Sequence, residues 1–191
     1  MDLIDFETEI RYREGAPIEV KLYHGDTFRD ADLALLERYT SIEQLNLSYT
    51  GITDNGLQHL SGLVNLESLH LSHTRIGDDG LAHLRRLVRL KSLSLTRTRV
   101  TGHGLACLEP LVNLEQLHVD RSPIDDAGLA HLKKLSRLHT VSLTGTAIGD
   151  AALPHLKDLQ HLKTLWISGT YLSDDGVRQL QQALPETKIY H

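Results

Sequence analysis

Residues 66–89 read LESLHLSHTRIGDDGLAHLRRLVR, and the next 24 residues, from Leu90, read LKSLSLTRTRVTGHGLACLEPLVN in the same phase. Segments that begin at Ile42, Leu66, Leu90, Leu114, Leu138 and Leu162 superimpose on L-x-x-L-x-L-x-x-T-x-I-x-D-x-G-L-x-x-L-x-x-L-x-x without an insertion or deletion. A period of this length marks a solenoid, because one such unit cannot bury its apolar face alone and must stack on its neighbours. Function is then sought on a repeated surface rather than in a pocket.

Each column of the repeat has a physical reading. Leucines at positions 4 and 6 alternate with polar residues at 3, 5 and 7, the period-two signature of a half-buried strand. A hydroxyl follows at position 9 (Thr50, Thr74, Thr98, Ser122, Thr146, Thr170), suited to bond backbone groups left unpaired where the chain leaves the strand. Position 11 is aliphatic in every unit, from Ile52 to Leu172. Leucines at 16, 19 and 22 mark one face of a short helix. Aspartate at position 13 (Asp54, Asp78, Asp126, Asp150, Asp174) is expected to be its N-cap. Glycine fills position 15 in five of six units, although glycine is a poor helix former; close approach of the neighbouring helix explains it. The third unit carries Thr101-Gly102-His103-Gly104 instead, so Thr101 stands in as the cap and this helix start is expected to be the loosest.

Three segments follow. Residues 1–41 form an N-terminal hairpin and a degenerate capping repeat, in which Thr8–Arg13 pairs with Ile18–Tyr23 and Phe28, Asp30, Leu33, Leu36 and Tyr39 fall in the repeat's own columns. Residues 42–185 form six 24-residue repeats, and 186–191 a C-terminal cap, with Pro185 stopping the last helix and Lys188-Ile189-Tyr190 adding a short strand.

Thr50-Gly51-Ile52-Thr53-Asp54-Asn55-Gly56-Leu57 resembles the leucine-rich repeat family, specifically its bacterial 24-residue units of the T-x-I-T-D-x-G-L type, and the resemblance covers residues 18–185. It implies an α/β fold, a curved solenoid with parallel β-strands on the concave face and short helices on the convex face. For function it implies a binding scaffold and no particular partner.

A net charge of −5 gives no overall case for nucleic acid or an anionic membrane. The single cysteine, Cys107, allows no intrachain disulfide, and a reducing compartment follows as the simpler reading. Met1–Glu7 lacks the basic start and apolar run of a signal peptide, and no stretch approaches a membrane span. The expected location is cytoplasmic.

If the strands line the concave face, positions 3, 5, 7, 8 and 10 project from it or its rim. Those columns hold Arg75, Arg97, Arg99 and Arg121 against one acid, Asp120, a local excess of positive charge in an acidic chain. A protein partner with an acidic surface is the natural inference, since arginine's planar donors suit carboxylates and phosphates. Candidate partner-binding residues are Tyr49, His70, His73, Arg97, His118, Asp120, Arg121, Trp166 and Tyr171. Trp166, the only tryptophan, reads equally as an interaction anchor and as an end cap near Tyr190.

Other chemistries find less support. His83, Cys107 and His131 share a column, but packed helices lie roughly 8–10 Å apart, too far for side chains so placed to share an ion at about 2.0–2.3 Å; no metal and no cofactor is expected. Ser94, His118 and Asp120 lie near one another, yet hydroxyls fill these columns everywhere and no oxyanion hole accompanies them, so no enzyme is expected. Cations near the helix C-termini, among them Arg85, Arg86, Lys133 and Lys134, could form a nucleic-acid edge, but aromatics do not interleave them. Self-association through the terminal strands is the competing class.

Overall fold

The computed structural model describes residues 8–22 and 27–191. Nine strands form a single sheet in sequence order: β1 (Thr8–Arg13), β2 (Ala16–Leu22), β3 (Gln44–Asn46), β4 (Ser68–His70), β5 (Ser92–Ser94), β6 (Gln116–His118), β7 (Thr140–Ser142), β8 (Thr164–Trp166) and β9 (Lys188–Tyr190). β1 and β2 are antiparallel, and every later pair is parallel. Tyr23, which the sequence places at the end of the hairpin, lies outside the described residues, as does the Met1–Glu7 segment.

The register is a direct image of the repeat. Leu45, Leu69, Leu93, Leu117, Val141, Leu165 and Ile189 pair in succession. The ladder also runs past each formal strand, since Leu47 N–H donates to the His70 carbonyl (2.8 Å) and Tyr49 N–H to that of Ser72 (2.9 Å). One turn of the solenoid buries Ile42, Leu45, Leu47, Ile52, Leu57, Leu60 and Leu63 almost completely, and stacking turns fuses these sets into one core. Leu172, expected to be buried like its column, is half-buried because it belongs to the last full turn.

The convex elements are mostly 3-10 helices, among them Asp30–Leu36, Asp54–Leu60, His103–Leu108 and Ala127–Lys134. The leucine spacing of three is itself the 3-10 period, which puts positions 16, 19 and 22 on one line facing the core. An α-helix of useful length appears only at Asp174–Ala183. It ends at Leu184, before Pro185, and β9 then completes the sheet.

The hydroxyl column does what its position suggests: Thr50, Thr74, Thr98, Thr146 and Thr170 each donate to the carbonyl three residues back, at 2.7–2.8 Å. Ser122 instead reaches the Leu95 carbonyl of the preceding unit.

The aspartate column does something else than capping. No side-chain cap bond forms at the helices that start at Asp54, Asp78 or Asp150. Asp78 accepts from Thr101 N–H (2.7 Å) and from the Thr101 hydroxyl (2.6 Å), both one unit further on. Asp30 does the same with Thr53 and Asp150 with Ser173, while Asp54 and Asp126 take the N–H of Gly77 and Gly149. Each of these five carboxylates is a latch between consecutive turns. It also explains the glycine column, because a Cβ at Gly56, Gly80, Gly104 or Gly176 would run into the preceding unit's aspartate. The approach expected from a neighbouring helix is made by its carboxylate.

The third unit lacks this latch. Gly102 replaces the aspartate, and Asp125 of the next unit turns its carboxylate to Gly128 N–H, within its own turn, at 3.1 Å. Thr101 does accept from His103 N–H, at 3.2 Å.

Candidate functional site

Two groups of side chains stand out on the side of the sheet away from the helices. The first is the position-5 column on the concave face: Asn46, His70, Ser94, His118, Ser142, Trp166 and Tyr190. Small and large alternate through its middle, so Ser94 and Ser142 are buried between flanking rings. Trp166 stacks on Tyr190 with ring centroids 5.4 Å apart and planes 11° apart, and on its other side meets His118 at 6.3 Å across Ser142. The tryptophan is half-buried on the face itself, in contact with the C-terminal strand. At the N-terminal end, Ser68 and His70 bond at 3.2 Å beside a cavity of about 70 Å³ that Lys21 also lines. Burial first, then the positive potential of His118 and Lys21, holds His70 below the ordinary imidazole range.

The second group is the rim where the chain leaves the strands. Tyr49, His73, Arg97 and Arg121 occupy position 8 of four successive units, and Tyr49 stacks on His73 at 4.2 Å. Arg75 and Arg99 stand two residues further on in their turns. All of these except Arg99 border two open depressions of about 540 and 550 Å³. Arg75, Arg97, Arg99 and Arg121 are exposed, and among the described residues none of them makes a side-chain ion pair or hydrogen bond. Burial, then Arg97 and Arg121, lowers the affinity of His73 for a proton.

Asp120, the one acid in these columns, lines the depression beside Arg97 and Arg121 but bonds to its neighbours along the repeats. Its carboxylate accepts from the Ser142 hydroxyl, from Thr144 N–H at 2.9 Å and from the Thr96 hydroxyl at 3.1 Å. It therefore ties units three, four and five together and forms no ion pair with the rim's guanidiniums. Several other cations are paired: Lys133 with Asp158, Lys134 with Glu109, and Arg89 and Lys91 with Glu67. On the convex edge, Lys133 and Lys134 are thus paired, while Arg85 meets Cys107.

The structure thus gathers Tyr49, His73, Arg97 and Arg121 on the rim, and His118 with Trp166 on the face. His70 sits near the N-terminal end of the same face. Tyr171 is 78% exposed and stands apart from both groups, with no ring contact among the described residues. The sequence reading of Trp166 near Tyr190 agrees with their stacking, 24 residues apart. Sequence reasoning missed Arg29, whose guanidinium crosses the place a Cβ would take at Gly51.

Ser94, His118 and Asp120 are not joined by any hydrogen bond. Ser94 bonds Ser72 at 2.7 Å, and Asp120 serves the three groups named above. In the convex column, Cys107 meets the Arg85 guanidinium at 3.4 Å and His131 meets Glu109 at 2.8 Å. Among the described residues no group of three or more His, Cys, Asp or Glu side chains is arranged to hold a metal ion. No described helix is long and apolar enough to cross a membrane.

Residues 40–61 and 63–84 match the Leucine Rich repeat family. No curated protein matches the chain. Among solved structures, 381 chains match, which makes the fold widespread and uninformative about any single activity. One is internalin C2 from Listeria monocytogenes, with a TM-score of 0.72 over 90% of this chain and 69% of that one, at 24% identity. That likeness establishes the fold.

Proposed function

We propose that this leucine-rich repeat solenoid is a non-catalytic scaffold that binds a protein partner through its concave face, a partner with an acidic surface. The observation that carries the reading is the His118–Trp166–Tyr190 run of rings, which lies on a strip whose other positions are mostly serine, threonine, asparagine and glutamine. Aromatic rings that are partly open and partly held by a neighbour make good anchors, because they offer large apolar area and lose little side-chain entropy on binding. The basic rim beside them supplies charge complementarity, which favours acidic partners and speeds encounter. The free Cys107 fits a reducing, cytoplasmic setting.

The test compares affinity capture by the wild-type chain and by His118→Ala/Trp166→Ala. A partner retained by the first and lost by the second, with the circular dichroism melt still cooperative, supports the reading. An identical set of captured proteins refutes it. Self-association is the second reading, favoured by β1 being a terminal strand of the sheet among the described residues. Against it, Arg11 and Arg13 line that strand, as charged residues do where edge pairing is discouraged. A mass that rises with concentration in light scattering would favour it.

A further inference from the structure

The rim carries an anomaly that repeats. Tyr49, His73, Arg97 and Arg121 have φ of 62°, 58°, 54° and 54°, the left-handed region, and their column continues with Gly145 at 67° and Gly169 at 70°. The same turn is built six times, and only two copies use the residue that adopts it without strain. Non-glycine residues persist in this region where surrounding structure holds them and where the side chain has a task. No internal task is visible for Arg97 and Arg121, whose side chains are exposed and unpaired among the described residues.

The surroundings are shaped to leave these arginines room. A Cβ at Gly145 would lie 3.1 Å from Arg121 Cγ, so the glycine gives Arg121 space to lean over the next unit. Arg75 and Arg99 add two more unpaired guanidiniums. Asp120, the acid closest in sequence, is held by three hydrogen bonds from the units on either side and pairs with none of these guanidiniums.

Resting on the scaffold reading, we infer that this rim is a recognition strip in its own right, and that its occupant is an extended acidic segment of a protein partner crossing the repeats. Strands in a sheet lie about 4.8 Å apart, so Tyr49 to Arg121 spans roughly 15 Å, the length of four or five extended residues at about 3.3 Å each. Aspartate or glutamate side chains of that segment pair with Arg97 and Arg121, and then with Arg75 and Arg99, through parallel N–H···O bonds. The Tyr49–His73 stack closes one end. Single-stranded nucleic acid fits less well. Its bases need aromatic platforms between the cations, whereas here the two rings stack on each other at one end and the chain as a whole carries −5.

The experiment uses the full chain and a fluorescein-labelled peptide of ten glutamates in fluorescence anisotropy, with ten-lysine peptide and ten-nucleotide oligo-dT as comparisons. The glutamate peptide is expected to bind, more weakly as salt rises. Arg97→Gly/Arg121→Gly should lose ~10-fold or more in affinity, and its melting temperature should equal or exceed that of the wild type, since glycine suits the turn. Trp166→Ala should bind the peptide normally, so the concave-face reading can fail without this one failing. No binding of the glutamate peptide, equal binding by the glycine variant, or a lower melting temperature in that variant would overturn the inference. Tighter binding of oligo-dT than of the glutamate peptide would overturn it in favour of nucleic acid.

Discussion

If the aspartate column latches one turn to the next, Asp78 and Thr101 must be energetically coupled although 23 residues separate them. Asp78 accepts two hydrogen bonds there, from the amide at 2.7 Å and the hydroxyl at 2.6 Å, both half-buried. A hydrogen bond to a charged group contributes ~1.5–3 kcal/mol, and an orphaned donor costs about 1–3. Partial exposure places the sum toward the low end, so Asp78→Ala should cost ~2–3 kcal/mol. For a domain of this size that lowers the melting temperature by roughly 4–12 °C. Thr101→Val removes the hydroxyl alone and keeps its shape, although it also takes the acceptor of His103 N–H. In a double-mutant cycle that second loss cancels and the latch remains as a coupling of ~1 kcal/mol or more. Urea unfolding of the four proteins, with equal slopes, measures it. If Asp78 were only the cap of its own helix, the two changes would add within about 0.3–0.5 kcal/mol, and that additivity would refute the latch.

Two further outcomes follow from the same geometry. His70 and His73 should titrate by NMR with midpoints below 6.5, each for burial first, and then for His118 and Lys21 around the one and Arg97 and Arg121 around the other. Because the folded values lie below the unfolded one, the unfolded chain binds protons first as pH falls. Their stabilising contribution is therefore complete above about pH 6.5 and is lost as pH drops through the folded values. Melting temperatures should fall from pH 7 to 5 and fall less in His70→Asn/His73→Asn; midpoints at or above 6.5 would contradict the assignment. At the joint without a latch, Gly102→Asp should destabilise by ~1–3 kcal/mol, because its Cβ would meet the Asp125 carboxylate and lie 2.9 Å from Gly128 Cα. Adding Asp125→Thr recreates the Asp78/Thr101 pattern and should recover part of the loss, whereas equal or greater destabilisation in chemical denaturation would show that the joint cannot be rebuilt.

What the sequence reveals and what it hides divide along the range of the interactions. The seven aliphatic columns and the threonine bond to position 6 are local or strictly periodic, so spacing alone exposes them. The aspartate is periodic too, yet a cap bond runs to a residue two or three positions ahead and a latch bond to one 23 ahead. Both call for the same residue in the same place, and composition cannot tell them apart. Asp125 shows the difference, since it bonds within its own turn where the preceding unit lacks a carboxylate. The candidate site was half legible: unusual side chains at position 8 were visible, but their left-handed backbone was not. The signal was Gly145 and Gly169 in that column, which reads as a position where φ is positive.

The same bonds explain how the rim can vary at all. From Tyr49 to Gly145 the position-8 amide is held by the next unit, as with Arg97 N–H to Asp120 O at 2.8 Å and Arg121 N–H to Thr144 O at 2.8 Å. The following hydroxyl closes the turn behind it, either on its own strand, as Thr98 does with Leu95, or on the preceding one, as Ser122 does. With its donor fixed and the next residue tied back, the backbone at position 8 is determined by its neighbours, and a left-handed φ survives whatever the side chain. Glycine there is comfortable but not required. The column is thereby released from folding duties, unlike positions 4, 6 and 11, where any polar substitution would open the core. A scaffold whose turns are over-determined by latch, ladder and hydroxyl can place tyrosine, histidine or arginine at a strained and exposed position. The identity of those four side chains is then not dictated by the turn that carries them.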